Sequence, residues 1–334
     1  MNSFLKKLPK AELHVHLEGT IAPELMFIIA DRNKVKLSYK TENEVRNAYN
    51  FKNYDEFARA YRMLTSIMRT EQDFYDVARA YAKRAHAQGV LHLEMTFDFD
   101  TYLPRAINPG IIVNGIYEAF VDARRDFGIS TRMILCLLRH LDETVALNTL
   151  KLSIPYKDKI IAIGLASDEP SNPPSKFKKA FSYARELGYR TTAHVGENAG
   201  PENIWRALDL LKVDRIDHGV RCFEDEKLVN ELIKRKMPIT VCPISNIKTG
   251  LFKTAREHPL KRMLDAGLLV SINSDDPVFF GGELLDNYQV ASNEGGLSQE
   301  DLITCARNSF VSAFISDERK NHYLKLLNEA IKTN

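Results

Sequence analysis

The chain has 334 residues, 44% of them hydrophobic, which is enough to fill a large core and excludes intrinsic disorder. Lys+Arg 46 against Asp+Glu 44 leaves a formal net charge of +2, so there is no electrostatic case for nucleic acid or an anionic membrane as a partner. No apolar run approaches the ~18 residues that cross a bilayer. MNSFLKKLPK lacks the apolar stretch of a secretory signal, and Cys136, Cys222, Cys242 and Cys305 form no CxxC pair, so a cytoplasmic protein with four buried thiols is expected.

In chain order, strands are predicted at 11–16, 90–97, 131–138, 160–165, 190–194, 214–217, 238–242 and 269–274. Several are continuously apolar rather than alternating, as parallel strands covered on both faces are. Thr70 is placed to N-cap a helix with Asp73 three residues on; Phe74, Val77, Ala78, Tyr81, Ala82 and Ala85 follow at helical spacing until Gly89. A second helix begins near Pro174–Ser175, turns Phe177, Phe181 and Ala184 inward and stops at Gly188; others fit 202–211, 223–236 and 258–266. The alternation predicts an α/β fold, a (β/α)8 TIM barrel of eight parallel strands. Residues 17–88 are too many for one connection and read as a helical insertion between strands 1 and 2. With aromatics at Tyr49, Phe51, Tyr54, Phe57 and Tyr61, it is either a lid over the barrel mouth or ordinary outer packing. No repeat or linker divides the chain, so 1–334 is expected to be one domain.

His14 and His16 form an H-x-H whose period of 2 points both rings to one face, with Cα atoms about 6.6 Å apart. Such a pair alone is weak evidence of a metal. His194 at the end of the fifth strand, His218 after the sixth and Asp275–Asp276 after the eighth strengthen it, because all should emerge at the C-terminal rim where barrel enzymes place their chemistry. Buried charge needs a partner, and a divalent cation is the obvious one. His86, His92, His140, His258 and His322 have no such company and read as surface or packing residues. Glu197, three residues past His194, is a surface carboxylate or a proton donor; in a closed apolar cleft a carboxyl stays protonated at neutral pH. A cation held by three histidines and an aspartate would bring the pKa of its water towards about 7, which points to metal-assisted hydrolysis. GLASDEP at the fourth strand's end has no lysine to bridge two metals, so one ion is expected.

HVHLEGT, TAHVGE, RIDHG, CPISN and NSDDP, in this order, resemble the adenosine/adenine deaminase family of the amidohydrolase superfamily, over a stretch from about Leu8 to Tyr288. The resemblance implies one Zn2+ held by His14, His16, His194 and Asp275. It implies that Glu197 protonates purine N1, that His218 holds and deprotonates the attacking water, and that Asp276 faces N7. Hydroxide then adds at C6 and ammonia leaves. The H-x-E…P-C-x-x-C pattern of cytidine-type deaminases is absent.

The substrate markers lean towards the adenine branch. Asp217 stands where adenosine deaminases usually have Gly; SNPPSKF and NSDDPVFFGG resemble the adenine enzymes' G-N-P-P-S-K-F and N-S-D-D-P-A-Y-F-G-G. Glu18 replaces an Asp that contacts ribose, and a longer acid would occupy sugar space. Against this, the branch's F-F-D-P-Q-T-H reads Thr96-Phe97-Asp98-Phe99-Asp100-Thr101-Tyr102, and Ser167 takes the position where adenosine deaminases direct a glycine N–H at N3. The expected activity is conversion of adenine to hypoxanthine and ammonia, with adenosine or an N6- or N9-substituted adenine as the alternative. Two other readings are an amide or ester hydrolase on the same scaffold and a non-catalytic purine-binding barrel. The expected partner is a small-molecule purine, and a homo-oligomer is compatible with the sequence.

Overall fold

The structure, a computed structural model, describes residues 2–49 and 54–333. Eight strands form one parallel sheet in sequence order: β1 Lys10–His16, β2 Val90–Asp98, β3 Ser130–Leu138, β4 Ile160–Ala166, β5 Arg190–Val195, β6 Arg215–His218, β7 Pro238–Val241 and β8 Leu269–Ile272. Each lies within two residues of its expected limits, and their near-complete burial explains the lack of alternation. The ring closes beyond the last rung of β8. Val15 bridges Asp275, with His16 N–H donating to Asp275 O at 2.9 Å and Asp275 N–H to His14 O at 3.0 Å. The architecture is the expected (β/α)8 barrel.

The helix expected after Thr70 spans Glu71–His86. Asp73 Oδ2 accepts from Thr70 N–H at 2.8 Å, and all six predicted apolar residues are buried. This helix packs on Pro109–Phe127, with Tyr75 Oη donating to Asp122 at 2.7 Å and the Arg79 guanidinium 4.8 Å over Phe127. It therefore belongs to the outer ring, and the extra segment ends before it. That segment consists of the helices Pro23–Arg32, Glu42–Ala48 and Tyr54–Ser66. Tyr49 meets Phe279 edge-on at 4.9 Å and Tyr61 stacks on it at 6.2 Å, one turn past Asp276. Phe51 lies outside the described residues, as do the side chains of Tyr54 and Phe57. The 202–211 helix is α-helical only over Pro201–Arg206, then widens into a π-turn, Ala207–Leu211, that Lys212 ends at φ +55°. The helix expected from Pro174 opens as a 3-10 turn and becomes α-helical at Lys178–Glu186.

Inside the barrel, below the histidines, Arg215 and Glu94 form an ion pair of 2.6 Å with both side chains fully buried. Arg215 also donates to Leu13 O at 3.0 Å, tying β6 to β1. Burial opposes ionisation of Glu94, yet Arg215 and His92 hold its pKa down at about 2. Removing one partner strands the other charge. Glu94→Gln is expected to cost about 3–5 kcal/mol in denaturant unfolding, and Glu94→Leu with Arg215→Met to recover most of it.

Candidate metal centre and purine site

The first two histidines are aimed by an irregularity in β1. The register against β2 shifts between Glu12 and Val15, and the consecutive N–H groups of Leu13 and His14 both bond Asn273 Oδ1, at 2.7 and 3.2 Å. Glu12, upstream, meets Tyr81 of the outer ring at 2.7 Å and Ser274 at 2.5 Å instead. Backbone strain re-aims the other groups. His218, Asp275 and Ser167 are all non-glycine residues at positive φ, +69°, +66° and +87°, in three different strand-to-loop transitions. Each such residue costs on the order of 1–3 kcal/mol and persists only where its surroundings enforce it.

The side chains predicted for the metal come together. His14 Nε2 and His16 Nε2 stand 3.2 and 3.4 Å from Asp275 Oδ1, and His16 Nε2 is 3.1 Å from His194 Nε2. Ligand atoms of His14, His194, His218 and Asp275 all lie within 4.8 Å of one another, and Asp276 joins His16 and Asp275 in an adjoining set. Burial leaves His16 and His218 with pKa values of about 4 and pushes His194 well below its ordinary value, so these three rings are neutral and keep a lone pair; burial opposes protonation of His14 too, but Asp275 and Asp217 outweigh it and raise its pKa.

The surrounding residues decide which nitrogen carries that lone pair. The Thr240 hydroxyl donates its one proton to Asp217 Oδ1 at 2.8 Å, so it accepts from His14 Nδ1–H at 3.2 Å and leaves His14 Nε2 bare. Asp217 Oδ2 lies 3.5 Å from His194 Nδ1 without hydrogen-bonding it, and accepts from Thr192 Oγ1 at 2.7 Å. Ser245 Oγ donates to Asp275 Oδ2 at 2.7 Å. His14 Nε2 is buried and makes no acceptable hydrogen bond despite its closeness to Asp275. Imidazole nitrogens converging beside a carboxylate, with His14 Nε2 left unpartnered, are the donor set of a single divalent cation, and the residues fit one.

Glu197, its side chain 14% exposed, points Oε2 to within 3.7 Å of His218 Nε2. Burial first, then Asp275 and Glu169, raise its pKa to about 8. Its loop is hung on Glu169, which accepts from the N–H groups of Gly196, Glu197, Asn198 and Ala199 at 2.8–3.1 Å. Arg139 is fully buried with none of its guanidinium nitrogens hydrogen-bonded, and its charge acts on the nearby carboxyls of Glu169 and Glu197.

On the other flank Asp276 is buried, its Oδ1 has no hydrogen-bond partner, and burial with Asp275 nearby raises its pKa well above the carboxylate range. Gly19 packs against it: a Cβ there would fall 2.5 Å from Asp276 Cα. Glu18 is 1% exposed, accepts from Tyr102 Oη at 2.9 Å, and has a pKa raised to about 8 by burial and Asp98. Ser167 lies at the rim with its Oγ 2.8 Å from His140 Nδ1.

Sequence reasoning noticed Asp217 only as a branch marker and missed Thr240, Ser245, Asn246, Glu169 and Tyr102 as parts of the site. Ser245 and Asn246 lie within CPISN and Glu169 beside Ser167, so the motifs held them without their contacts. His92 is buried against Ser130 and Glu94, and His86, His140 and His322 are exposed, as expected.

Residues 9–330 match the adenosine deaminase family. The chain is 47% identical to a protein named adenine deaminase from Acinetobacter baylyi, over 98% of this chain and 99% of that one. A crystal structure of adenine deaminase from Arthrobacter aurescens superposes with a TM-score of 0.94 at 41% identity, covering 97% of this chain and 99% of that chain. An amidohydrolase from Burkholderia ambifaria, solved with bound Zn, superposes with a TM-score of 0.92 at 26% identity, covering 99% and 94%.

The positive φ of Ser167 separates strain from hydroxyl chemistry. Ser167→Gly is expected to stabilise the fold by about 1 kcal/mol in denaturant unfolding, whereas Ser167→Ala, which loses the same hydroxyl but keeps the strain, gains nothing.

Proposed function

Because the chain belongs to the adenosine deaminase family, we propose that it is a zinc-dependent hydrolytic deaminase whose preferred substrate is adenine, converted to hypoxanthine and ammonia. The observation that carries this reading is Glu197: a carboxyl kept protonated through neutrality, 3.7 Å from His218 and beside the converging Nε2 atoms. An ester or amide hydrolase has no use for an acid aimed at a ring nitrogen. The adenine preference is supported by the named relatives and by Glu18, a fully buried acid pinned by Tyr102 where a sugar would need room.

His14, His16, His194 and Asp275 would hold the ion, and three imidazoles with one carboxylate suit Zn2+. When bound, such an ion supplies ionisation of water near neutral pH. Glu197 donates its proton to purine N1, which drains electron density from C6. His218 holds the attacking oxygen beside C6. Asp276, protonated, donates to N7, and the Ser167 N–H is directed at N3. A C6–O bond forms, the C6–N bond breaks, and the amino group departs as ammonia with the protons supplied by water. The helices over 23–66 act as a lid on the one barrel domain, with Tyr61 and Tyr49 closing against Phe279. Four buried free thiols suit a cytoplasmic enzyme, and no described helix is long and apolar enough to cross a membrane.

Ammonia release measured across adenine, adenosine, deoxyadenosine and N6-substituted adenines tests the substrate; faster turnover of adenosine than of adenine overturns the ordering. Glu197→Gln is expected to lower kcat by about 10²–10⁴ while zinc content by elemental analysis stays at one per chain. Since Glu197 acts as an acid, kcat/KM is expected to fall on the alkaline side as the carboxyl ionises, and an activity that climbs steadily through that range would refute the role.

A further inference from the structure

His258, which the sequence placed among the bystanders, is 5% exposed and lies under the site. Its Nδ1 accepts the backbone N–H of Leu260 at 3.2 Å, a donor whose direction the chain fixes. Burial drops the His258 pKa to about 3, so the ring is neutral and its single proton must sit on Nε2. That Nε2–H is 3.1 Å from the side chain of Asn246, which therefore turns its oxygen towards His258. The Asn246 amide nitrogen is then the atom 3.3 Å from His218 Nδ1, and it donates. His218 Nδ1 is an acceptor, so the proton of the neutral ring is on Nε2, the atom that faces Glu197 and, at 3.9 Å, Asp275. Asn246 is fully buried and His218 is 1% exposed, so water does not scramble the sequence. His14 faces the opposite arrangement, with Thr240 accepting at its Nδ1.

We infer that Asn246 and His258 are positioning residues that lock His218 as an Nε2–H donor, so that His218 grips the attacking oxygen with a hydrogen bond and does not take its proton. The role differs from the one the family resemblance gave His218, and it separates this histidine from His14, whose Nδ1 faces an acceptor, even though both ligand atoms lie in the same cluster. It rests on the proposed deamination only for what is held; the proton position is a property of the protein without substrate. A neutral ring locked this way has no lone pair at Nε2 to act as a base. None is required where the ion already favours ionised water.

The test is a long-range proton–nitrogen correlation spectrum of the zinc-loaded, histidine-labelled enzyme without substrate, with His218 assigned from a His218→Gln sample. The expected result is a proton on His218 Nε2. In Asn246→Asp, whose carboxylate can only accept, the proton is expected to move to Nδ1. A bare Nε2 in the unsubstituted enzyme overturns the inference whatever the substrate proves to be. In kinetics, His258→Leu is expected to lower kcat about 10–100-fold with KM and zinc content nearly unchanged. His258→Gln, whose amide can accept from Leu260 and donate to Asn246, is expected to restore most of the loss. Equal activity of the Leu and Gln variants overturns the relay.

Discussion

The backbone bridge between Val15 and Asp275 is the contact on which the remaining architecture of the site depends. It joins the first strand to a residue three positions beyond the last ladder pair of β8, and it closes the barrel with two hydrogen bonds. The same bridge places His14 and His16 beside the Asp275 carboxylate, although more than 250 residues separate them in sequence. Asn273 reinforces the junction by taking the two N–H groups that the β1 irregularity frees. Fold closure and assembly of the proposed metal ligands are therefore one event.

Three left-handed residues complete the aiming. Strands deliver side chains alternately to the two faces, and a site that needs converging groups from several strands must break that alternation at the rim. His218, Asp275 and Ser167 break it by adopting positive φ, and the buried core of the barrel offsets the strain. Ser167 is the informative member, because a hydroxyl-bearing side chain occupies a conformation that glycine takes freely. Its Oγ bond to His140 ties that otherwise awkward side chain down.

The overall charge balance of the chain conceals a strongly polarised interior. Within the barrel a fully buried Arg215–Glu94 pair underlies three imidazoles held neutral by burial, a protonated Glu197 and an Arg139 whose guanidinium makes no hydrogen bond. Burial does most of this tuning, since it disfavours whichever form is charged. Hydroxyls and amides then choose among tautomers that burial alone leaves equal in charge. Thr240, its own proton given to Asp217, accepts at His14 Nδ1, and Asn246 donates to His218 Nδ1.

Local pattern was enough for much of this. Eight apolar runs at regular spacing are strands because a parallel sheet buries both faces, and Thr70 with Asp73 caps a helix because the relevant partners are three residues apart. Short motifs likewise held every histidine and carboxylate that now meets at the rim. What lay outside the sequence were relations between distant residues. Glu71–His86 looks like any amphipathic helix until Pro109–Phe127 is packed against it, so its place in the outer ring was not legible from its own residues. His258 looked idle because its value comes from a backbone N–H two residues on and an amide twelve residues back, aligned only by the folded barrel. Residue type and spacing settled which groups the chain has for binding a cation and moving a proton. Where each proton sits was left to the tertiary structure, because a tautomer is chosen by the neighbour that faces it, and those neighbours come from other strands.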